Sequence, residues 1–152
     1  MASRGKPYLS QVYIPTQKLT CRGTQFHQAS ATLDADRWLD EFMTDDVEMQ
    51  YANSPVIKGS EVRQMFKTVL GQLDIMTHEV RYFDYVAPRI YQAATIRYLV
   101  KGDNHDTDRI TIPGFAVFSV REDDGRIKCY RAETFLDPSA VFQRIAEKSS
   151  QP

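Results

Sequence analysis

Four long β-rich runs stand in series between residues 76 and 136, and no other feature constrains the fold as much. Residues 76–85, 89–101, 108–121 and 126–136 are dense in Val, Ile, Tyr, Phe and Thr, which suit a pleated, half-buried surface. Ala87-Pro88, Gly102-Asp103-Asn104 and Glu122-Asp123-Asp124-Gly125 separate them as turn signals. Links this short join antiparallel neighbours, so the runs predict a meander. Strands of this length must twist and curl. Helical patterns lie before and after the meander, which predicts an α+β domain with helices on one face of the sheet. Helices laid across the concave side of a curled sheet leave a conical space that side chains do not have to fill. A pocket is therefore expected.

The helical patterns are shorter. Asp34 is placed to cap a helix whose apolar face is Trp38, Leu39 and Phe42, after a weaker stretch from Thr24 to Leu33. A short strand follows at residues 47–51. Ser60 starts the best helix, with Val62, Met65, Phe66, Val69 and Leu70 at helical spacing and Gly71 to end it. Pro138 opens a last helix carrying Val141, Phe142 and Ile145. Residues 1–19 read as an extended arm, because Pro7 and Pro15 interrupt helix, and residues 20–150 as a single domain. Tyr51 and Asn53 stand where a strand leaves the helical layer, a position that belongs to the wall of the expected pocket.

Nineteen basic residues against twenty acidic ones, with no long run of either sign, give no electrostatic footprint for nucleic acid or an anionic membrane. Cys21 and Cys129 form no C-x-x-C pair and no disulfide framework, so a reduced, cytoplasmic setting is the simplest expectation. No apolar segment reads as a signal peptide or a spanning helix. Residues 103–108, Asp-Asn-His-Asp-Thr-Asp, invite a metal reading but lack EF-hand spacing and hold one histidine, and a solvated turn suits them better. No phosphate loop or dinucleotide fingerprint is present, so a cofactor-free reaction is expected.

In order and spacing, Asp34-Ala35-Asp36-Arg37-Trp38, Tyr51-x-Asn53-x-Pro55, Thr77-His78, Arg97, Asp124-Gly125-x-Ile127 and Phe135-Leu136-Asp137-Pro138 resemble the nuclear-transport-factor-2-like (NTF2-like) superfamily. The likeness covers about residues 24–148. The superfamily's enzymatic branches include SnoaL-like polyketide cyclases, scytalone dehydratase, limonene-epoxide hydrolase and ketosteroid isomerase. The resemblance implies a cone-shaped, curved antiparallel sheet with helices on its concave face, a cystatin-like α+β barrel, and a homodimer formed through the outer sheet face. Tyr51, Asn53 and Arg97 are similar to residues with which limonene-epoxide hydrolase positions water and relays a proton. That enzyme's two aspartates have no counterpart: Leu99 stands at one position and Ala132 or Thr134 at the other. Hydrolysis by that relay is therefore disfavoured. Asp34, Tyr51 and His78 resemble residues of scytalone dehydratase, whose second histidine has no clear match.

The resemblance thus implies a cofactor-independent isomerase, cyclase or dehydratase (a lyase) acting on a hydrophobic, oxygenated molecule of secondary metabolism. In that reading His78 moves the proton, with Asp34 or Glu133 as partner. Tyr51, Asn53 and Arg97 hold the oxygen that gains charge. Each residue also has a plainer reading. His78 can be a structural strand histidine, on one face with Val80 and Tyr82. Arg97 faces the cone or the outside. Glu133 alternates with Arg131 and so reads outward unless a bulge intervenes. Asp34 can be only a helix cap. Trp38, Phe42, Met65, Phe66 and Tyr82 are core residues that in a hollow fold would also touch substrate. A non-catalytic NTF2-like module that binds a ligand or a protein is the alternative.

Overall fold

A computed structural model describes residues 13–151. Helices α1 (Thr16–Ala31) and α2 (Ala35–Phe42) lead into strand β1 (Met43–Tyr51), the two-residue β2 (Ile57–Lys58) and helix α3 (Ser60–Leu70). The meander follows as β3 (Leu73–Val86), β4 (Arg89–Val100), β5 (Ile110–Asp123) and β6 (Arg126–Phe135), and α4 (Ser139–Ser149) ends the fold. The six strands form one sheet in the order β2-β1-β6-β5-β4-β3.

The meander is antiparallel throughout, as its short turns require. At the β5–β6 hairpin, Asp124 and Gly125 both take positive φ, 50° and 74°, the pairing whose twist matches the flanking strands. The sheet is nevertheless mixed, because β1 docks parallel to β6, with Met49 opposite Ala132 and Tyr51 opposite Thr134. That pairing joins segments some eighty residues apart, so no turn reveals its direction. The sheet also remains open between β2 and β3 rather than closing into a barrel.

Helix α1 begins at Thr16, so the last residues expected in the extended arm are helical; residues 1–12 lie outside the described residues. Pro15 starts the helix instead of preventing it. Its carbonyl accepts the Leu19 N–H at 3.2 Å, and a proline at a helix start forfeits no internal bond. Weak helix formers at Thr20, Cys21, Gly23 and Thr24 hide this helix in the sequence. Asp34 caps α2 as expected, accepting the Arg37 N–H at 3.1 Å. Gly59 precedes α3 at φ 53°, and a Cβ there would stand 3.3 Å from the Asp45 carbonyl, so the site calls for glycine.

The core lies between the helices and the concave face of the sheet. Leu19, Trp38, Leu39, Phe42, Val62 and Leu70 from the helices meet Met43, Met49, Met76, Ile96 and Val120 from the strands. No described helix is long and apolar enough to cross a membrane.

Helix α4 is fastened by charge. Asp103 is not solvated: its carboxylate is buried and accepts hydrogen bonds from Arg144 at 2.6 and 2.8 Å and from Lys148 at 2.6 Å. These two cations hold Asp103 well below the usual carboxylate range. The rest of the turn closes on itself through Asn104 and Asp108, and the described residues contain no acid or histidine cluster fit for a metal. Asp103→Asn should lower Tm by several degrees, because it leaves two cations facing an uncharged group. The sign with pH follows from the lowered carboxyl. The wild-type advantage should be complete above about pH 4, the unfolded-chain value, and fade as pH falls below it. Thermal melts of both proteins across that range check this.

Candidate functional site

Two cavities lie between the helices and the sheet. The larger, about 520 Å³, is bounded by α1 and the outer half of the meander, including Leu19, Gly23, Phe42, Val80, Phe83 and Ile127. The smaller, about 110 Å³, lies in the cone beneath α3 and α4, against Tyr51, Met65, Phe66, Tyr98, Leu136 and Phe142. Phe26, His27, His78, Gln92 and Phe118 line both, so a single layer of side chains separates them.

The polar centre of that layer is a histidine pair. His27 comes from α1 and His78 from β3, and their rings stack at 4.9 Å with 29° between planes. Gln92 on β4 anchors His27, its amide nitrogen 3.1 Å from Nε2. The Nδ1 atoms of both rings are buried with no hydrogen-bond partner among the described residues. Burial, and then the neighbouring His27, push His78 down to about 3. Burial also lowers His27, opposed by its bond to Gln92. Both imidazoles are therefore neutral at pH 7, each with one nitrogen that accepts and one that donates.

At the other end of the small cavity stand two phenols. Tyr51 ends β1, and Tyr98 projects from β4; their hydroxyls are hydrogen-bonded to each other. Burial raises both, so both remain protonated. Thr134, opposite Tyr51 in the β1–β6 pairing, completes the polar rim. No carboxylate lines either cavity.

His78 and Tyr51 thus reach one cavity, and Trp38, Met65 and Phe66 form its apolar wall, while Phe42 lines the larger one. The remaining candidates lie elsewhere. Asn53 is exposed, because β1 ends at Tyr51 and Ala52 turns the chain with φ 51°, which cancels the alternation that would have put the two on one face. Arg97 lies on the convex side, 2.8 Å from Glu79. The concave face of β4 carries the even-numbered Gln92, Ala94, Ile96 and Tyr98. Glu133 pairs outward with Arg131 at 3.4 Å, and Arg131 in turn meets Glu48 at 2.8 Å. Asp34 remains at the surface as a helix cap. Tyr82 is 59% exposed, since a register shift between Val80 and Tyr82 moves it off the His78 face and puts Phe83 there instead.

His27, Gln92 and Tyr98 were not foreseen. The alternation Gln92, Ala94, Ile96, Tyr98 was present in the sequence, but Ala93 and Leu99 on the other parity are apolar as well and blur it. His27 was hidden with the start of α1.

The buried pair has a consequence for stability. Histidines whose protonation is suppressed in the fold but free in the unfolded chain make the unfolded state the better proton binder. Through His78, stability should therefore be flat above about pH 6.5 and fall as pH drops toward 3, by up to ~1.4 kcal/mol per pH unit, and His27 adds in the same direction. His78→Gln should flatten this slope, as denaturant titrations at successive pH values would show.

No protein-family model matches the chain, and no curated protein matches it. Solved structures do. SalBIII, an epoxide hydrolase/cyclase-like enzyme of pyran ring formation in polyether salinomycin, aligns at TM-score 0.65 with 17% identity, over 82% of this chain and 95% of its own. An LEH-like epoxide hydrolase from M. tuberculosis gives 0.63 with 15% identity, over 88% and 93%. A candidate dehydratase of the NTF2-like family from Streptomyces avermitilis gives 0.63 with 13% identity, over 80% and 94%. At such identities the likeness concerns architecture, and on that ground this chain has the NTF2-like fold, the one that cyclases, epoxide hydrolases and dehydratases of that superfamily share.

Proposed function

We propose that this protein is a cofactor-independent enzyme that moves a proton on a hydrophobic, oxygenated small molecule, as an isomerase, cyclase or dehydratase of polyketide- or terpenoid-type metabolism. The observation that carries the reading is the small cavity with hydrogen-bonded phenols at one end and unpartnered imidazole nitrogens at the other. A satisfied structural histidine would not leave its Nδ1 buried and unbonded. In this reading Tyr98 donates to Tyr51, and the Tyr51 proton meets a substrate carbonyl oxygen. His78 removes a proton from the adjacent carbon, and the enolate oxygen is held by Tyr51. The same imidazolium returns the proton to another carbon in an isomerisation, to the alkoxide oxygen formed when the enolate carbon attacks a second carbonyl in a cyclisation, or to a departing hydroxyl in a dehydration. Burial makes the imidazolium costly in the empty cavity, but the enolate formed beside it offsets that cost.

The binding-module alternative draws on the outward Arg97 and Glu133 and on the lack of a carboxylate in either cavity. Exchange of the α-protons of 2-tetralone in D2O separates the two. An enzyme of this kind should accelerate exchange of the bound ketone, whereas binding without acceleration would favour the module. The same reading extends to a homodimer through the outer sheet face, where the Tyr82 and Phe135 rings are more than half exposed; light scattering of the purified protein tests it.

A further inference from the structure

The smaller cavity is too small for the substrates just proposed. Pockets for drug-sized ligands run to roughly 300–1,000 Å³, and the chamber that holds the phenols offers about 110 Å³, room for a single small oxygenated ring at most. The larger chamber has the right size, about 520 Å³, but little chemistry. Among the described residues its one charged wall residue, Arg22, is already occupied: it bonds the Ile127 and Glu41 carbonyls and covers the Phe42 ring at 3.9 Å. The two spaces meet at His27, His78 and Gln92, where unbonded ring nitrogens stand.

We propose that the two chambers hold two parts of one elongated molecule. Its oxygenated ring sits against Tyr51, its reacting carbon lies at His78, and a large apolar body extends into the chamber under α1. This rests on the function proposed above and specifies its substrate class: an oxygenated ring system bearing a bulky or long apolar extension on the side remote from the activated oxygen. The phenol chamber supplies chemistry, and the α1 chamber supplies the binding energy that selects the substrate.

Gly23 makes this testable. It lies inside α1 and lines only the larger chamber, and a Cβ built on it meets nothing within 4 Å among the described residues. Gly23→Phe therefore takes up part of that chamber while favouring helix. Trp38, the only tryptophan, lines only the smaller chamber, so its fluorescence reports occupancy there. The probes are cyclohexanone and derivatives carrying methyl, propyl, pentyl or heptyl on the ring carbon farthest from the carbonyl. In the wild type, affinity should rise about fourfold per buried methylene along the series. In Gly23→Phe the parent ketone should bind as in the wild type, and the rise should be clearly shallower. Parent binding with a flat wild-type series, or a series that climbs equally in Gly23→Phe, overturns the two-chamber arrangement and leaves the proposed chemistry standing. Failure of every member to perturb Trp38 overturns the phenol chamber as a ketone site, and both readings fall with it.

Discussion

His78→Ala should slow α-proton exchange of bound 2-tetralone at least about a hundredfold, the usual share of a positioned general acid/base. Ligand affinity, read from Trp38, should change only a few-fold, because the imidazole contributes to the transition state more than to binding. The pH profile carries equal weight. With His78 held down to about 3, the wild-type rate should be level from pH 6 to pH 8, without the inflection near 6.5 of an ordinary histidine. An inflection at 6.5 that disappears in His78→Ala would mean that the imidazole titrates in contact with water. A rate unchanged by the substitution would remove His78 from the chemistry altogether. His27→Ala should have a smaller effect on rate. It should raise the affinity of His78 for protons by removing a like-charged neighbour, which shifts the lower limb of the profile upward.

How far the sequence alone leads depends on how local the controlling interaction is. The meander was legible, because its turns and its composition act over a few residues, and so was the Asp34 cap. The parallel docking of β1 on β6 was not, since it is decided by burial between distant segments. The same division runs through the site. Tyr51 and His78, expected together from their place in a hollow α+β fold, both line the smaller cavity. Asn53 and Tyr82 were misplaced because single-residue events, a positive φ at Ala52 and a register shift before Tyr82, reverse which face a side chain takes. Arg97 and Glu133 illustrate a different failure. A charged residue in an apolar strand attracts a catalytic reading, yet here each finds an oppositely charged neighbour on the convex face, the cheaper place for it. His27 needed both the true start of α1 and its packing against β3, neither of which a propensity argument supplies.

Tyr51→Phe should cost about a hundredfold to a thousandfold in exchange rate, the loss found when one donor to a developing oxyanion is removed. Tyr98→Phe should cost less. In the proposed arrangement the two substitutions differ because the phenols act in series: Tyr98 donates to Tyr51, and Tyr51 keeps its own proton for the substrate. Removing Tyr98 leaves that proton in place but takes away the bond that orients and polarises it, so the damage should be roughly tenfold. The double variant should be no worse than Tyr51→Phe alone, since Tyr98 acts only through Tyr51. If the two losses multiplied instead, each phenol would have its own contact with the substrate. If Tyr98→Phe were the more harmful, the direction of donation would be reversed on binding. Helix α4 adds a further check, because Phe142 lies edge-on to Tyr51 at 6.5 Å and Arg144 and Lys148 fasten that helix to Asp103. Asp103→Asn should therefore weaken 2-tetralone binding as well as stability, whereas the Tyr98→Phe defect should leave Tm nearly unchanged. A site built from hydrogen-bonded phenols under a fastened helix should separate in this way; one whose tyrosines only fill space should lose stability and activity together.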